Sequence, residues 1–433
     1  MTNSMPRNRL IQLIVFTFVL LAARVLVLNA TKMQRNGPSR VLSYLRKSSS
    51  ILDSEHRVPR SRRALDADPH HLNILAKAPP PSSDADTSKS LLHISRHGGN
   101  LRDMLSICGL LGVRSEVVHL LGPMDISKVY VQDDWARNGV YYQQFDMILV
   151  SDTSAIARIF LEHLDAFKGR LIVYVCNRID QGMTHDPEYL PLYRHAAANE
   201  RRRVSFVHFC AFEALYAASK GIDLWDRPVI PPLGDWVPVS DEKLGINWEV
   251  KAYGPVGDPW AGRSISGDVD RQDTYYVNHY MNEQDMDLMG GCKQHGLNCF
   301  IGYATHVDAF KAMIVLPNSV CKIAPFDAMQ RGLVAFVPTR NLLEKMIRGE
   351  VFPRNRYYSY MGGGIANATS YCTWMQHPEC HVQFDSMDEL WAKMKSTDLK
   401  DLNMIRNNCS QKVVVHRHTV LSQWRDVFAG LAG

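Results

Sequence analysis

His97 and Asp152 are the two side chains in this sequence best placed to accept a proton. Each stands just past a short apolar run, residues 91–95 and 145–150. Loops at the C-terminal ends of buried strands are where α/β proteins build their sites. Imidazole titrates near neutrality, which makes His97 a candidate general base, with Asp152 as its competitor. Helix capping and loop solvation are the ordinary alternatives for both. Asn177, Arg178, Asp180 and His208 sit at similar places after or at the end of apolar runs. A second group suits an anion. Residues 319–322, Ser-Val-Cys-Lys, form a turn into a helical segment, and Lys322 brings a cation to it. Arg263 is another candidate cation. Lys and Arg bind phosphate through charge-assisted hydrogen bonds, although either is more commonly a solvated charge. Asp327 lies further along the same segment.

The elements that must position these residues follow from periodicity and punctuation. Residues 312–316 read as a strand buried on both faces. Pro317, Asn318 and Ser319 break it, and Asn318 or Ser319 supplies a helix cap. The spacing predicts a helix to Arg331 with Asp327 two turns in, and Gly332 at its left-handed C′ position. Residues 333–337 are the next strand, stopped by Pro338. The helix start presents free N–H groups, which favours a phosphate. Upstream, strands are predicted at 91–95, 117–121, 145–150, 171–176, 204–210 and 228–232. Helices are predicted at 101–111, 155–167, about 190–201 and 212–219. Gly98-Gly99 reads as a turn that serves either tight packing or the approach of backbone N–H groups to a ligand. Downstream, strands are predicted at 274–280 and 298–303, with helices at 286–295, about 307–310 and 414–428. Phe384 to Leu390 reads as a strand end followed by a helix cap. This alternation predicts two doubly wound parallel α/β domains, at 91–240 and 241–433.

The stretch 312–339 resembles the donor-sugar motif of GT-B glycosyltransferases. The match is carried by an apolar strand, Pro-x-Ser, then Asp327-Ala328-Met329, Gly332 and a second apolar strand ending at Pro338. The resemblance implies two Rossmann-like domains with the site in the cleft between them. It implies a sugar moved from a nucleotide-sugar donor to an acceptor hydroxyl, with the acceptor, a glycan or protein, held by the first domain. Ser319, Val320, Cys321 and Lys322 would hold the diphosphate, Asp327 the ribose, and the last helix would cross back to the first domain. No metal or further cofactor is implied. Retaining members often carry a Glu eight positions before the acidic residue, and Ser319 stands there instead, so the stereochemical outcome stays open.

Charge is unevenly placed. Residues 1–90 hold 14 Lys+Arg against 6 Asp+Glu, a net +8 within a total of +5. The basic excess therefore belongs to the tail and points to no nucleic-acid partner for the body. Residues 10–28 reach the length a bilayer needs if Arg24 snorkels, and are predicted to be a signal-anchor, with a cleaved signal peptide as the alternative. Residues 31–90 read as a disordered stem, rich in Pro, Ser and Asp, with a basic-residue cleavage sequence at 60–63. Either N-terminal reading places the body in the lumen of the ER or Golgi or releases it. Sequons at Asn29, Asn367 and Asn408 permit that location. Of nine cysteines, Cys372 and Cys380 are the best local pair, and Cys108, Cys176 and Cys210 read as buried apolar residues. Two other functions compete. A metal-dependent GT-A transferase would use an Asp-x-Asp triplet, present at 66–68, 84–86, 268–270 and 285–287. A non-catalytic, membrane-tethered two-domain binding protein or inactive transferase is the other.

Overall fold

The computed structural model describes residues 89–120, 126–183, 186–234, 271–278, 288–301, 310–317, 320, 322–352, 364–365 and 367–430. They lie within one compact unit, Lys77–Gly433. The proposed membrane segment, nearly all of the stem, all four Asp-x-Asp triplets, Arg263, Asn318, Ser319 and Cys321 lie outside the described residues. Among the described residues no helix is long and apolar enough to cross a membrane.

Apart from its edge strand at residues 114–119, the first sheet is built from apolar strands buried on both faces, as parallel strands flanked by helices require. Strand β1 (Ser90–Ser95) is buried throughout and leads into helix α1 (Gly98–Leu111), which Gly112 ends at φ 71°. Gly98 and Gly99 are the first residues of that helix rather than a separate turn. Strand β2 (Arg114–His119) follows, then helix α2 (Lys128–Tyr142), capped by the Ser127 side chain. The sequence reading places no element there. Only Val131, Asp134, Gly139 and Tyr142 of α2 are buried, too few to leave a clear apolar period. Strand β3 (Met147–Ser151) is followed by a 3-10 turn (Ser154–Ala157) and one helical turn, α3 (Arg158–Leu161), where a longer helix was expected. Buried Arg158 is committed there to Glu162 and Asp186. Strand β4 (Arg170–Val175), helix α4 (Tyr189–Asn199), strand β5 (Val204–His208) and helix α5 (Ala211–Ser219) complete the unit. The order is β2-β1-β3-β4-β5, all parallel. Residues 228–232 form no strand, only a bridge from Val229 to His208. Pro228, Pro231 and Pro232 lack the N–H donors a ladder needs.

The second sheet repeats the plan. Strand β6 (Arg271–Asn278), helix α6 (Leu288–Gln294), strand β7 (Cys299–Ile301) and strand β8 (Phe310–Val315) come first. Phe310, expected in a helix, opens a strand. Helix α7 (Ala324–Gln330) and strand β9 (Ala335–Pro338) follow, then an unforeseen helix α8 (Arg340–Ile347) capped by Thr339. Strand β10 (His381–Phe384) leads to helix α9 (Met387–Ser396), capped by Ser386 as the sequence indicates. The order is β10-β9-β8-β6-β7, again all parallel.

Helix α10 (Leu399–Ala429) begins fifteen residues before the expected start, because Asp398 and Asp401 form a capping box. Near its start Arg406 donates to the Lys311 carbonyl beside the second sheet. Near its end the Val427 carbonyl accepts from Arg170 of the first sheet at 2.7 Å, and Trp424 packs edge-on against Tyr174. Disulfides join Cys292 to Cys299 and Cys380 to Cys409. The Cys372–Cys380 pairing is thus wrong: α10 brings the Cα of Cys409 within 4.9 Å of that of Cys380, and Cys372 is a buried thiol. Cys108 and Cys176 are buried thiols as expected, whereas Cys210 is disulfide-bonded.

Candidate functional site

Strand order locates the site before any side chain does. In the first sheet the chain steps from β1 to β2, then returns across β1 to β3. Right-handed crossovers in opposite directions place helices on opposite faces and leave a crevice above the reversal. His97 follows β1 by two residues and Asp152 follows β3 by one, so the pair flanks that crevice. The second sheet reverses in the same way between β6 and β8. Val320 and Lys322 follow β8, at the second reversal.

His97 is held by its neighbours on both sides. Its backbone N–H donates to the Ser95 hydroxyl at 3.1 Å. Its own Nδ1 caps α1, accepting from the Asn100 N–H at a long 3.4 Å. A Cβ on Gly99 would come within 2.8 Å of the imidazole Cε1, so a larger residue there would push the ring off the helix start. Burial lowers the His97 pKa below its ordinary value. Asp152 opposes this, while Lys322, His119 and Arg102 reinforce it. The ring is therefore neutral at pH 7 and able to take up a proton.

Asp152 occupies the left-handed region at φ 69°, an uncommon conformation for a residue with a side chain. Such outliers cluster where a side chain must be aimed. Its carboxylate accepts from the Asn177 amide at 2.7 Å and from the Thr153 hydroxyl at 3.2 Å. Burial raises its pKa, against the lowering effects of His97, Thr153, Arg96 and Asn177. Both His97 and Asp152 retain partial exposure, which leaves a reactant a way in.

Lys322 is 9% exposed and Asp327 5% exposed. Burial lowers the Lys322 pKa to about 8, with Asp327 working to keep it charged. The geometry corrects the sequence reading here. Helix α7 has seven residues, begins at Ala324 after Ile323 without a side-chain cap, and carries Pro325 in its first positions. Asp327 lies in the first turn, not the second. Proline removes one N–H from the helix start, so positive charge at this place comes chiefly from Lys322. Gly332 does take the left-handed form, at φ 65°. Val320 is buried, and its side chain serves the core.

The fold thus brings His97, Asp152 and Lys322 into one electrostatic neighbourhood. Asn177 joins them through Asp152. Arg178 and Asp180 belong instead to a cluster with Tyr216, which lies under the Arg178 guanidinium and donates to Asp180. His208 is buried in β5, its pKa lowered by burial to about 4. Sequence reasoning missed Arg102, Asp103 and Gly234. Arg102 and Asp103 are buried although charged, and Asp103 stands four residues before Ile107 on the apolar face of α1. A charged residue on an apolar stripe was the available signal.

Fold and site together define a parallel α/β protein with two sheets, in which an imidazole–carboxylate pair on one sheet senses a buried ammonium from the other. No family model matches the chain, and no curated protein matches it. Among solved structures the chain is similar to Anabaena Alr3699/HepE in complex with UDP and glucose. The TM-score is 0.43 at 10% identity, covering 79% of this chain and 100% of that one. Alr3699/HepE in complex with UDP-glucose gives 0.40 at 12% identity, over 78% and 100%. CalG4, the calicheamicin glycosyltransferase, gives 0.31 at 8% identity, over 79% and 98%. At these low scores the strand order and register of the chain itself, not the likenesses, define its architecture.

Proposed function

We propose that the chain is a GT-B-type glycosyltransferase that moves a sugar from a nucleotide-sugar donor to an acceptor hydroxyl. One observation carries this: the neutral His97 beside Asp152 at one reversal, within the electrostatic reach of Lys322 at the other. A hydroxyl becomes a nucleophile when a positioned base takes its proton as the bond forms. In this reading His97 accepts that proton, and Asp152 stabilises the resulting imidazolium. Base function through Nε2 requires the ring to release its long cap bond at Nδ1. A nucleoside diphosphate leaves with negative charge, and Lys322 offsets that charge where water is largely excluded. Asp327 contacts the ribose or holds Lys322. No step needs a metal.

Location is part of the same proposal. Residues 10–28 anchor the chain in an ER or Golgi membrane, with residues 91–433 in the lumen as an acceptor-binding domain followed by a donor-binding domain. Disulfides persist in oxidising compartments, which supports a lumenal body. Asn367 and Asn408 are exposed and open to glycosylation.

The test is thermal melting of the full-length chain with UDP, GDP, ADP and CMP, with and without Mn²⁺. A ligand at 100 times its Kd stabilises by about 2.7 kcal/mol. A metal-independent shift with one nucleoside diphosphate is expected. A shift seen only with Mn²⁺ would favour a metal-dependent transferase instead, and no shift would favour a non-catalytic protein.

A further inference from the structure

Residues 232–234 carry the chain out of the first sheet, and they are gripped from three directions. From α1, the Asp103 carboxylate, only 3% exposed, accepts from the Leu233 N–H at 3.1 Å and from the Gly234 N–H at 2.7 Å. From α10, the His416 Nε2–H donates to the Pro232 carbonyl at 2.8 Å. From the second sheet, α7 lies directly against the strap. Gly234 has φ 78°, and a Cβ there would stand 2.5 Å from the Phe326 carbonyl carbon and 2.8 Å from the Asp327 nitrogen. His416 also stacks on the Phe326 ring at 4.9 Å and 17°. His97 caps the same α1, ~9 Å along the helix axis from Asp103 at about 1.5 Å per residue. The same α7 follows Lys322 by two residues. Ile323, between them, lies 3.9 Å from where a Cβ on Gly99 would be.

We infer that Asp103 and Gly234 are positioning residues: together they fix the spacing between the helix that carries His97 and the turn that carries Lys322. The inference rests on the proposed transferase only for its consequence in catalysis. The two dipole-rich N–H groups of the strap require a buried double acceptor, and Asp103 is one. The close approach of the 326–327 peptide requires a residue without a Cβ at a left-handed position, and Gly234 is one. Neither residue reaches the proton or the leaving group. A change at either alters where Lys322 stands relative to His97.

The titration of His97 reads that spacing directly. The groups acting on it are Asp152, Lys322, His119 and Arg102. Imidazole resonances of the full-length chain are followed against pH, with His97 assigned by its loss in H97A. In K322M the His97 midpoint is expected to rise, as a nearby cation is lost. G234A keeps every charge, yet it is expected to move the midpoint the same way, because α7 must shift to admit the methyl group. If G234A fails to fold, D103N is read instead. It keeps the side-chain shape but exchanges the strong double acceptor for one carbonyl oxygen, and because loss of the carboxylate charge alone lowers the His97 midpoint, only a rise counts as a change of spacing. An unchanged His97 midpoint in the folded variant, with K322M shifting it, overturns the inference. So does an unchanged midpoint in K322M. Failure of every nucleotide to stabilise the wild-type chain tells against the transferase and is a separate outcome.

Discussion

At the residue scale, the three side chains of the site make separable predictions. H97A should lower turnover by a factor of ~10²–10⁴, the usual contribution of a positioned base. Its nucleotide-induced melting shift should persist, because the diphosphate lies against Lys322 in this reading. Loss of both in H97A would mean that the histidine serves the structure. Lys322 gives a pH signature. Its pKa, lowered to about 8 by burial, means that the ammonium is present below pH 8 and is lost above it. Binding of a nucleoside diphosphate should therefore weaken as pH rises from 7 to 9, and K322M should bind weakly throughout. A flat profile in the wild-type chain would exclude Lys322 from the anion site. Glu213 supplies a stability test. Burial raises its pKa to about 8, so the folded chain keeps it protonated where the unfolded chain has already ionised. That contribution is full below pH 4.5 and is lost progressively up to pH 8. E213Q should then melt above the wild type at pH 8 and beside it at pH 4.

At the scale of elements, α10 holds the two sheets together. Trp424 is fully buried and packs edge-on against Tyr174 of β4. W424A should cost ~3–5 kcal/mol, the range for deleting a large aromatic from a core. Calorimetry that showed separate melting of two units in this variant would place the loss specifically in the bridge. Thr339 caps α8 after a proline and also donates its hydroxyl to Asp385. T339A should cost ~1 kcal/mol, as cap losses generally do.

At the scale of the molecule, the proposal of a lumenal body meets the Cys380–Cys409 bridge. It closes a loop of 29 residues and ties α10 to the turn before β10. Chain-entropy reasoning gives such a crosslink ~3.6 kcal/mol. Replacing both cysteines with alanine should lower the melting temperature under oxidising conditions and leave no further effect of reductant at that site. In cells, the full chain should remain with membranes after alkaline washing, and a chain lacking residues 1–30 should not. Equal behaviour of the two would remove residues 10–28 as the anchor.

Much of this protein was legible in its sequence, because parallel strands buried on both faces leave continuous apolar runs. The runs 91–95, 171–176 and 204–210 could be read directly, each ending within two residues of the observed strand. Glycines such as Gly112 and Gly332 marked helix ends because few other residues adopt a left-handed backbone. His97 and Asp152 were visible as polar residues just past such runs. Helix α2 was not legible, since a largely exposed helix has no strong apolar period, and α8 was hidden behind Pro338 and its cap. The start of α7 was misplaced because Pro325 and the preceding turn, not Ser319, set it. Pairing Cys372 with Cys380 failed because proximity in sequence says nothing about a helix arriving from residue 409. What the sequence determined by itself was the succession of strands and helices, which depends on local side-chain chemistry. Only the tertiary structure decided that His97, Asp152 and Lys322 share one electrostatic field, and that Asp103 of α1 holds Gly234 against α7. Those relations depend on strand order and crossover direction, which join residues as far apart as His97 and Lys322, 225 positions by number (322 − 97).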